Sequence, residues 1–566
     1  MTESVTALPW SDDQARRNLP QLLVLAALIA LRLIAYSSAG GLWRDEVHSV
    51  NMATMPANEL FFVLTNDSLP MCWQSLLRSW IALFGSTDAS VRVLGLLIGL
   101  TTIPAMWWSA RQFGIKFPWW MMVLLGLDPS LIIFGGEVRG YGLGLIGFLI
   151  MVGTAWRTLQ QPSAWRWFGL LIASLFAVQS LFTNCFLLAA TLIACGLVAV
   201  RRGRFRICLG FTLIGLISAA SMVPYALYVA PRLARVVSTI HDPIPMIVPW
   251  KMFVATYRWG GTFRYHLWLV IGVVGFIELL RRIASGRDRP VTETTADRDL
   301  IVFLPPFFWI GTIGFWFYMR FLGVQTANWY HIPWLALLAL ATELVMGLWL
   351  RRRPQHQQYV VGLACVACAV IACQVIPHVR YRLTTTDLIA RDLGEATHPG
   401  DLVVVTPWYV GITFGRYYEG SAEWTNLPDV DHVDHHLGYE ELKEKVMPLP
   451  ADVGIENELQ KIESTLARGG KVWWVGPMKQ LLPGQAPLVL SGGPDPKYGW
   501  SESAYLSSWQ QIAIARMQSM GVTIHERTIP EPRGVNPCEN SSVFVVERAP
   551  QRPSPQLSQR PVDEPR

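Results

Sequence analysis

The sequence predicts a polytopic α-helical membrane protein of about eleven transmembrane helices, followed by a soluble C-terminal α/β domain. Of the 566 residues, 52% are hydrophobic and only 16% are charged, and the mean hydropathy is +0.31. So few charged residues would not cover the surface of a soluble protein of this size. The long apolar runs all lie in residues 20–376, whereas residues 377–548 alternate between short apolar stretches and polar turns.

The transmembrane prediction depends on the length of each apolar run, because a helix needs about 20 apolar residues to cross a bilayer. The candidate spans are 20–39, 89–110, 118–135, 141–156, 167–182, 185–200, 207–230, 265–280, 300–322, 330–350 and 358–376. A further apolar stretch, 70–84, is short and contains Gln74 and Arg78. We expect it to form a helix that lies along the membrane surface.

The basic residues predict how these spans are oriented. Every basic cluster follows an even number of predicted spans, counting zero for the first. The clusters are Arg16/Arg17, Arg111/Lys116, Arg157/Arg166, Arg201 to Arg206, Arg281 to Arg289 and Arg351 to Arg353. Because Lys and Arg concentrate in cytoplasmic loops, the pattern predicts a cytoplasmic N-terminus. The predicted domains are then 1–376 in the membrane with an outer loop over 40–88, an extracytoplasmic α/β domain over 377–548, and a disordered tail over 549–566.

The C-terminal domain alternates between predicted helices and strands. Helices are predicted over 384–397, 456–468 and 508–520, and strands over 401–406, 471–475, 522–526 and 542–547. This alternation predicts a mostly parallel sheet. No glycine-rich phosphate fingerprint follows any of the strands, so a nucleotide-sugar site of that kind is not expected.

The most informative segment follows the first predicted span and reads Trp43-Arg-Asp-Glu-Val-His-Ser49. Its adjacent carboxylates, Asp45 and Glu46, face a low-dielectric region, where burial raises the pKa of a carboxyl group. If the segment is helical, Asp45 and His48 share a face and could receive a proton or hold a cation. The alternative is a solvated loop with incidental acidic residues.

A second charged segment, Glu137-Val-Arg139-Gly-Tyr141, follows the third span. Charged residues between two apolar spans are unfavourable and usually have a role. Arg139 is suited to holding a phosphate through two parallel hydrogen bonds, with Glu137 orienting it. The alternative is a structural Glu–Arg pair that closes a short turn. Upstream, Asp67 either belongs to the same site or is the N-cap of the helix predicted over 70–84.

In this order, the motifs resemble those of the GT-C glycosyltransferase superfamily, in the branch of protein O-mannosyltransferases, the lipid A aminoarabinose transferase and bacterial relatives. In that branch an Asp-Glu pair follows the first span, an acidic residue precedes an interfacial helix, and a Glu-x-Arg-x-Tyr motif follows the third span. A later aromatic-tyrosine stretch ends in proline. The residues that carry the resemblance or lie beside its motifs are Asp45, Glu46, His48, Asp67, Glu137, Arg139, Tyr141, Tyr330 and His331.

The resemblance implies a glycosyltransferase that moves a hexose or pentose from a polyprenyl-phosphate donor to an acceptor hydroxyl, with inversion. The acceptor would be a lipid, glycan or protein at the outer face of a bacterial inner membrane, and nucleic acid is not an expected partner. Asp45 would be the general base, and the other residues of that set would bind substrate. No metal ligands are assigned, although a divalent cation near Glu46, His48 and Asp67 is left open.

Three positions depart from the family's pattern. Ser68 replaces a usual basic residue, Leu69 replaces a proline, and Trp329 stands where arginine is common. Both missing bases could have bound the donor phosphate, so Arg139 becomes the first candidate for that role. Looser candidates in the segment 231–264 are Arg232, Arg235, Lys251 and Arg258.

Two competing functions stay open. A transporter or lipid flippase would also have many spans, but the charged motifs share one face and no Gly/Pro-broken spans recur in two halves. An inactive scaffold with a working outer domain is favoured only by the three departures, and Asp45→Asn would separate it from an enzyme. The run Asp429–His436 is rich in metal-ligand residue types, and a solvated loop is its simpler interpretation.

Overall fold

The computed structural model describes residues 12–67, 69–240, 247–284, 294–322, 327–430 and 436–550. The chain divides into two compact units. The first comprises Met1–Thr385, His435–Glu440 and Glu531–Asn540, and the second comprises Thr386–Asp434, Glu441–Pro530 and Ser541–Arg566. The first unit therefore includes two short segments from the C-terminal part of the chain. The domain limits given above, and the disorder expected after residue 550, stay predictions.

The described residues before Thr385 are almost entirely helical. The helices are α1 Asp12–Ser38, α2 Arg44–Thr54, α3 Leu60–Asn66, α4 Met71–Phe84, α5 Asp88–Gln112, α6 Trp119–Leu124, α7 Pro129–Phe134, α8 Tyr141–Gln160, α9 Ala164–Ser180, α10 Asn184–Arg201, α11 Phe205–Ser221, α12 Val223–Arg232, α13 Ser238–Ile240, α14 Ile247–Trp259, α15 Thr262–Ala284, α16 Thr295–Leu322, α17 Ile332–Arg352 and α18 Gln357–Val379. A π-helical stretch, Leu233–Val237, and a 3-10 helix, Asn328–His331, precede α13 and α17.

Eight helices in the described part of the chain are long and apolar enough to cross a membrane, and α11 with its continuation makes a ninth if that pair, bent by 44°, is one span. The prediction of a polytopic helical membrane protein is thus confirmed. All eleven predicted segments are helical, but two fall short as single spans. Helix α9 has only 17 residues, and the segment 118–135 is split into α6 and α7.

The split between α6 and α7 has a local cause. Asp128 accepts hydrogen bonds from the backbone N–H groups of Ser130, at 2.7 Å, and Leu131, at 3.3 Å, and Pro129 occupies the first position of α7. An acidic N-cap followed by proline begins a new helix. At the start of α6, Glu343 accepts hydrogen bonds from two backbone N–H groups. The apolar run thus contains an internal helix start.

Several of the basic clusters lie at the same end of the helical unit. Arg351, at the end of α17, lies 2.6 Å from Asp297 and also donates to the carbonyl of Phe113, just after α5. Arg202, just after α10, pairs with Asp299. These contacts place the clusters at Arg111, Arg202 and Arg351 at one end of the helical unit. The parity of the other clusters stays a prediction. Which side of the membrane they face stays a prediction.

The second unit is an α/β structure, as predicted. Its strands are β1 Leu402–Val405, β2 Glu423–Asn426, β3 Val472–Val475, β4 Val522–Arg527 and β5 Val543–Arg548. Its main helices are α19 Thr386–Ala396, α20 Gly411–Tyr417, α22 Glu456–Ala467 and α23 Glu502–Ser519. The short α21 Tyr439–Glu441 begins in the first unit and ends in the second. Val403, Val405, Phe414 and Val475 belong to the buried core against which α19 and α20 pack.

The sheet is mixed, which corrects the prediction of a mostly parallel one. The strand order is β2-β1-β3-β5-β4, with β1 parallel to β2 and β3 but β5 antiparallel to β3 and β4. Between β4 and β5 the chain forms only a 3-10 turn, Pro537–Glu539. A parallel neighbour needs a longer crossover, usually a helix, so β5 returns antiparallel beside β4. Strand β2 was not predicted.

Candidate active site

The site begins with α2, whose first turn is fixed by Glu46. The Glu46 carboxylate is fully buried, lies 2.6 Å from Arg92 of α5, and accepts hydrogen bonds from the backbone N–H groups of Val138, at 2.9 Å, and Trp43, at 3.3 Å. Burial raises the pKa of Glu46, and Arg92 opposes that shift. Glu46 thus joins α2 to α5 and to the loop after α7. Its predicted contact with substrate stays a prediction.

Two glycines of α5 let this loop approach closely. A Cβ atom at Gly95 would collide with the carbonyl oxygen of Gly136, and one at Gly99 would lie 3.2 Å from the Cα of Gly136. Backbone packed this closely leaves no room for a side chain on α5. The contact sets the position of Glu137 and Arg139, which follow directly in the sequence.

Asp45 is the carboxylate of the site that reaches towards solvent, with 16% of its side chain exposed. Its Oδ1 accepts a hydrogen bond from Arg44 Nε at 3.2 Å, and its Oδ2 lies 3.8 Å from Arg139. Burial alone would raise the pKa of Asp45, but Arg44, Arg139 and His48 outweigh it and hold that pKa below its usual value. Asp45 is therefore ionised, as a general base must be before it accepts a proton.

Arg139 is held between two acidic residues and is 6% exposed. Besides Asp45, it lies 4.0 Å from Asp67 Oδ1 and donates to Ser49 Oγ at 3.0 Å. Burial alone would lower its pKa, but Asp45, with Tyr141 and Asp67 nearby, raises it. Arg139 is thus a permanent cation that organises the site.

Asp67 does not cap the helix predicted over 70–84. Helix α4 is present, but its N-cap is Pro70 and has no side-chain hydrogen bond. Asp67 instead accepts hydrogen bonds from the backbone N–H of Leu69, at 3.1 Å, and from Gln74 Nε2. Both bonds turn the buried carboxylate towards Arg139. Ser68, one of the departures from the family's pattern, lies outside the described residues.

Glu137 does not orient Arg139. Both of its carboxylate oxygens are buried, and neither has a hydrogen-bond partner among the described residues. The side chain lines a cavity of about 30 Å³ together with Arg32, Tyr36 and Arg92. Burial raises the pKa of Glu137 well above its usual value, and neighbouring Glu46 adds to the shift. The buried position thus favours the neutral, protonated form of Glu137.

His48 lies on α2 one turn after Asp45, as predicted for a helical segment. Burial, followed by the positive charge of Arg139, lowers the pKa of His48 to about 3. The imidazole is therefore neutral, and its Nδ1 is buried with no hydrogen-bond partner in the described residues. A neutral ring next to Asp45 can exchange hydrogen bonds with a sugar hydroxyl.

Tyr141 and Tyr330 also belong to this cluster, since both contribute to the electrostatic environment of Arg139. His331 does not. Its ring packs against Phe253 and Phe315, with centroids 5.9 and 5.8 Å away. Eight of the nine site residues predicted from the sequence thus lie in one region of the structure, and His331 lies in the neighbouring aromatic core.

An open cavity of about 530 Å³ lies beside the 3-10 helix Asn328–His331, and Arg258, Trp259, Asn328 and His378 are among its lining residues. The 3-10 helix Asn328–His331 connects the two regions, because it places Asn328 in the cavity and Tyr330 beside Arg139. Arg258 lies 5.1 Å from the Tyr265 ring centre and pairs with no carboxylate within the described ranges. It therefore has an uncompensated positive charge.

The other predicted phosphate ligands differ from Arg258. Arg232 and Arg235 both pair with Glu440, at 3.1 and 2.9 Å. Lys251 is exposed on α14, as Arg258 is, but it is not among the residues that line the cavity. Of the run Asp429–His436, residues 431–435 lie outside the described residues. Across the described part of the chain, no three His, Cys, Asp or Glu side chains converge as a metal site would require.

Sequence reasoning assigned no role to four residues that shape the site. Arg44 contacts Asp45, and Arg92 neutralises Glu46. Ser49 orients Arg139, and Gln74 orients Asp67. Arg44 and Ser49 flank the acidic pair in sequence and could have been considered with it. Gln74 is only seven residues from Asp67, within the predicted interfacial helix, and could also have been considered. Arg92 is 46 residues from Glu46, and only the folded structure brings the two together.

No family model and no curated protein sequence matches the chain. Among solved structures, the chain is similar to ArnT from Cupriavidus metallidurans in the apo state, with a TM-score of 0.49 and 10% identity over 82% of this chain and 94% of that one. It is also similar to the same protein bound to undecaprenyl phosphate, with a TM-score of 0.43 and 13% identity over 81% and 93% of the two chains. ArnT is the lipid A aminoarabinose transferase, which belongs to the branch that the sequence resembles. With TM-scores below 0.5, neither comparison assigns a role to any residue.

Proposed function

We propose that the protein is a membrane glycosyltransferase that moves a sugar from a polyprenyl-phosphate donor to an acceptor hydroxyl, with inversion. The observation that carries the proposal is the state of Asp45. Its carboxylate is enclosed on most sides, kept ionised by Arg44 and Arg139, and still reaches solvent. An ionised carboxylate in a poorly solvated site can take a proton from an attacking hydroxyl.

The reaction is a single displacement at the anomeric carbon of the sugar. The acceptor oxygen forms a bond to that carbon while the bond from the carbon to the phosphate oxygen breaks. Asp45 takes the proton of the acceptor hydroxyl, and polyprenyl phosphate leaves with the bonding electron pair. His48, Asp67 and Tyr141 surround Asp45 and Arg139 and are proposed to hold the sugar hydroxyls.

The phosphate of the donor is proposed to lie in the cavity beside Arg258. Arg139 is already shared by two carboxylates, so its charge is largely compensated. Arg258 has no such partner in the described residues, and Asn328 and His378 line the same cavity. Charge-assisted hydrogen bonds from these donors would stabilise the negative charge that develops on the leaving phosphate.

A divalent cation does not fit between the two carboxylates of the site. The Arg139 guanidinium lies within 4.0 Å of both Asp45 and Asp67, where a bridging ion would have to lie. Glu46 is engaged with Arg92 and cannot serve as a ligand without breaking that pair. The proposed mechanism therefore contains no metal-dependent step.

The proposal places the site at the outer face of a bacterial inner membrane, with the N-terminus in the cytoplasm and the second unit outside. The site residues lie at the opposite ends of α5 and α17 from the basic clusters. Basic residues concentrate in the cytoplasmic loops of membrane proteins, so the end of the helices opposite the basic clusters is proposed to face outward. Labelling of single cysteines from either side of intact cells would test this orientation.

The direct test is to incubate the purified protein with a radiolabelled panel of polyprenyl-phosphate sugars and to measure the released polyprenyl phosphate. We expect release with one donor class, and loss of at least about 100-fold in Asp45→Asn. Asp452→Asn, an exposed change in the second unit, is the matched control and should keep wild-type activity. No release from any donor by folded protein would contradict the proposal and favour the transporter or scaffold.

A further inference from the structure

The segment Glu531–Asn540 belongs to the same compact unit as the membrane helices, although it lies far along the chain. Two backbone hydrogen bonds attach it to the residues after α18: Arg382 N–H donates to Gly534 O and Asn536 N–H donates to Arg382 O, each at 2.9 Å. Thr385 N–H also donates to Glu539 O at 3.1 Å. The segment is thus tied by its backbone at several points, which fixes the position of Glu539.

The Glu539 side chain reaches the helix that carries Asp45. Its Oε1 accepts a hydrogen bond from the backbone N–H of Arg44 at 3.0 Å, and the residue is only 1% exposed. Arg44 is the first residue of α2, where a backbone N–H has no acceptor within the helix. A carboxylate at this position satisfies that N–H and complements the positive end of the helix dipole.

The first turn of α2 is therefore held by two acidic side chains from different parts of the chain. Glu46 holds it from within the helix through Arg92 and the N–H of Val138. Glu539 holds it from outside, at the N–H of Arg44. Asp45 lies between these two contacts, so its position depends on both.

We propose that Glu539 is a positioning residue of the transferase site, which makes the segment Glu531–Asn540 an integral part of the catalytic unit. The inference rests on the proposed role of Asp45 as the general base. Glu539 acts through the hydrogen-bond acceptor that it offers to Arg44 N–H, and it does not itself touch the substrate. A shift of about 1 Å in a reacting group can lower a rate by about 100-fold.

The test compares three variants of the full-length protein. Glu539→Leu removes the acceptor and leaves the Arg44 N–H buried without a partner, and we expect kcat to fall by about 10- to 100-fold with little change in the KM for the donor. Glu539→Gln keeps an amide oxygen as acceptor, and its kcat should stay within about threefold of wild type. Glu526→Leu makes the same change on an exposed residue of β4 and serves as the control.

Hydrogen exchange supplies a readout that does not depend on activity. Amides of the first turn of α2 should exchange faster in Glu539→Leu than in wild type, whereas Glu539→Gln and Glu526→Leu should match wild type. Unchanged kcat and unchanged exchange in a folded Glu539→Leu protein would overturn the inference. An equal loss of kcat in Glu539→Gln would also overturn it, because the acceptor would then not be the cause. Inactivity of the wild type with all donors would instead refute the proposed function. The hydrogen-exchange result alone would then show whether Glu539 holds the first turn of α2.

Discussion

Replacing Arg139 with glutamine would remove the positive charge that Asp45 shares with Asp67. The guanidinium lies 3.8 Å from the Asp45 carboxylate. Two unit charges 4 Å apart attract by about 4 kcal/mol at an effective dielectric constant of about 20, which corresponds to roughly 3 pKa units. Because Arg44 stays in place and 16% of the Asp45 side chain is exposed, we expect a smaller rise of about 1–2 units in the pKa of Asp45.

The sign of the effect follows from the proposed role of Asp45 as the general base. Its pKa is held below the usual value in the folded protein, so its activity is present above that pKa and is lost as the pH falls through it. A higher pKa moves the acid limb of the kcat profile to higher pH by the same ~1–2 units. The assay is the initial rate of polyprenyl-phosphate release at saturating donor, measured from about pH 8 down to below the usual aspartate pKa of about 3.9, over the range in which the protein stays folded.

A variant that keeps the positive charge of Arg139 separates the effect of that charge on the pKa of Asp45 from the loss of the guanidinium geometry. Arg139→Lys retains a cation but not the planar guanidinium, so its acid limb should lie near that of wild type even if its kcat is lower. If the acid limb of Arg139→Gln stays where it is in wild type while Asp45→Asn is inactive, then Arg139 does not set the ionisation of Asp45. The electrostatic account of the site would then be wrong.

Two further substitutions test the remaining contacts. Arg92→Met leaves the buried Glu46 carboxylate without its ion-pair partner and should destabilise the protein by about 3 kcal/mol, measured as a lower midpoint of unfolding in denaturing detergent. The double variant Arg92→Met with Glu46→Gln should recover part of that loss of stability. No recovery would mean that the pair does not stabilise α2. Arg258→Gln should raise the KM for the donor by about 10- to 100-fold, the usual range for a charge-assisted hydrogen bond, and should also lower kcat, because negative charge develops on the leaving phosphate. Lys251→Gln, an exposed change on the same helix, is the control, and equal KM values in the two variants would exclude Arg258 as a phosphate ligand.

The sequence predicted the helical membrane part, the α/β tail and the region of the site because each depends on local signals. Apolar runs of about 20 residues indicate spans, and the acidic pair at Asp45 stands out beside one of them. The broken span shows where this reasoning fails. Its apolar residues continue across Asp128 and Pro129, and only the capping geometry reveals that a new helix begins there.

The partners of the site residues were harder to predict, because they depend on packing between distant elements. Glu137 and Arg139 are two residues apart and were expected to interact, yet Arg139 lies against Asp45 and Asp67 while Glu137 lines a separate cavity. Glu539 reaches Arg44 across 495 residues. No periodicity or local motif carries that information, because it arises only when the segments are packed together.

The balance of charge in the site explains why the donor phosphate needs a separate subsite. Asp45 is balanced by Arg44 and Arg139, and Glu46 is balanced by Arg92. Burial raises the pKa of Glu137 and so favours its neutral form. A phosphate that entered this cluster would compete with carboxylates already bound to the same guanidinium groups, and each displaced carboxylate would be left poorly solvated. Among the described residues, Arg258 presents a cation without that competition. The proposed mechanism therefore places the donor phosphate in the open cavity, while Asp45 keeps the environment that a base requires.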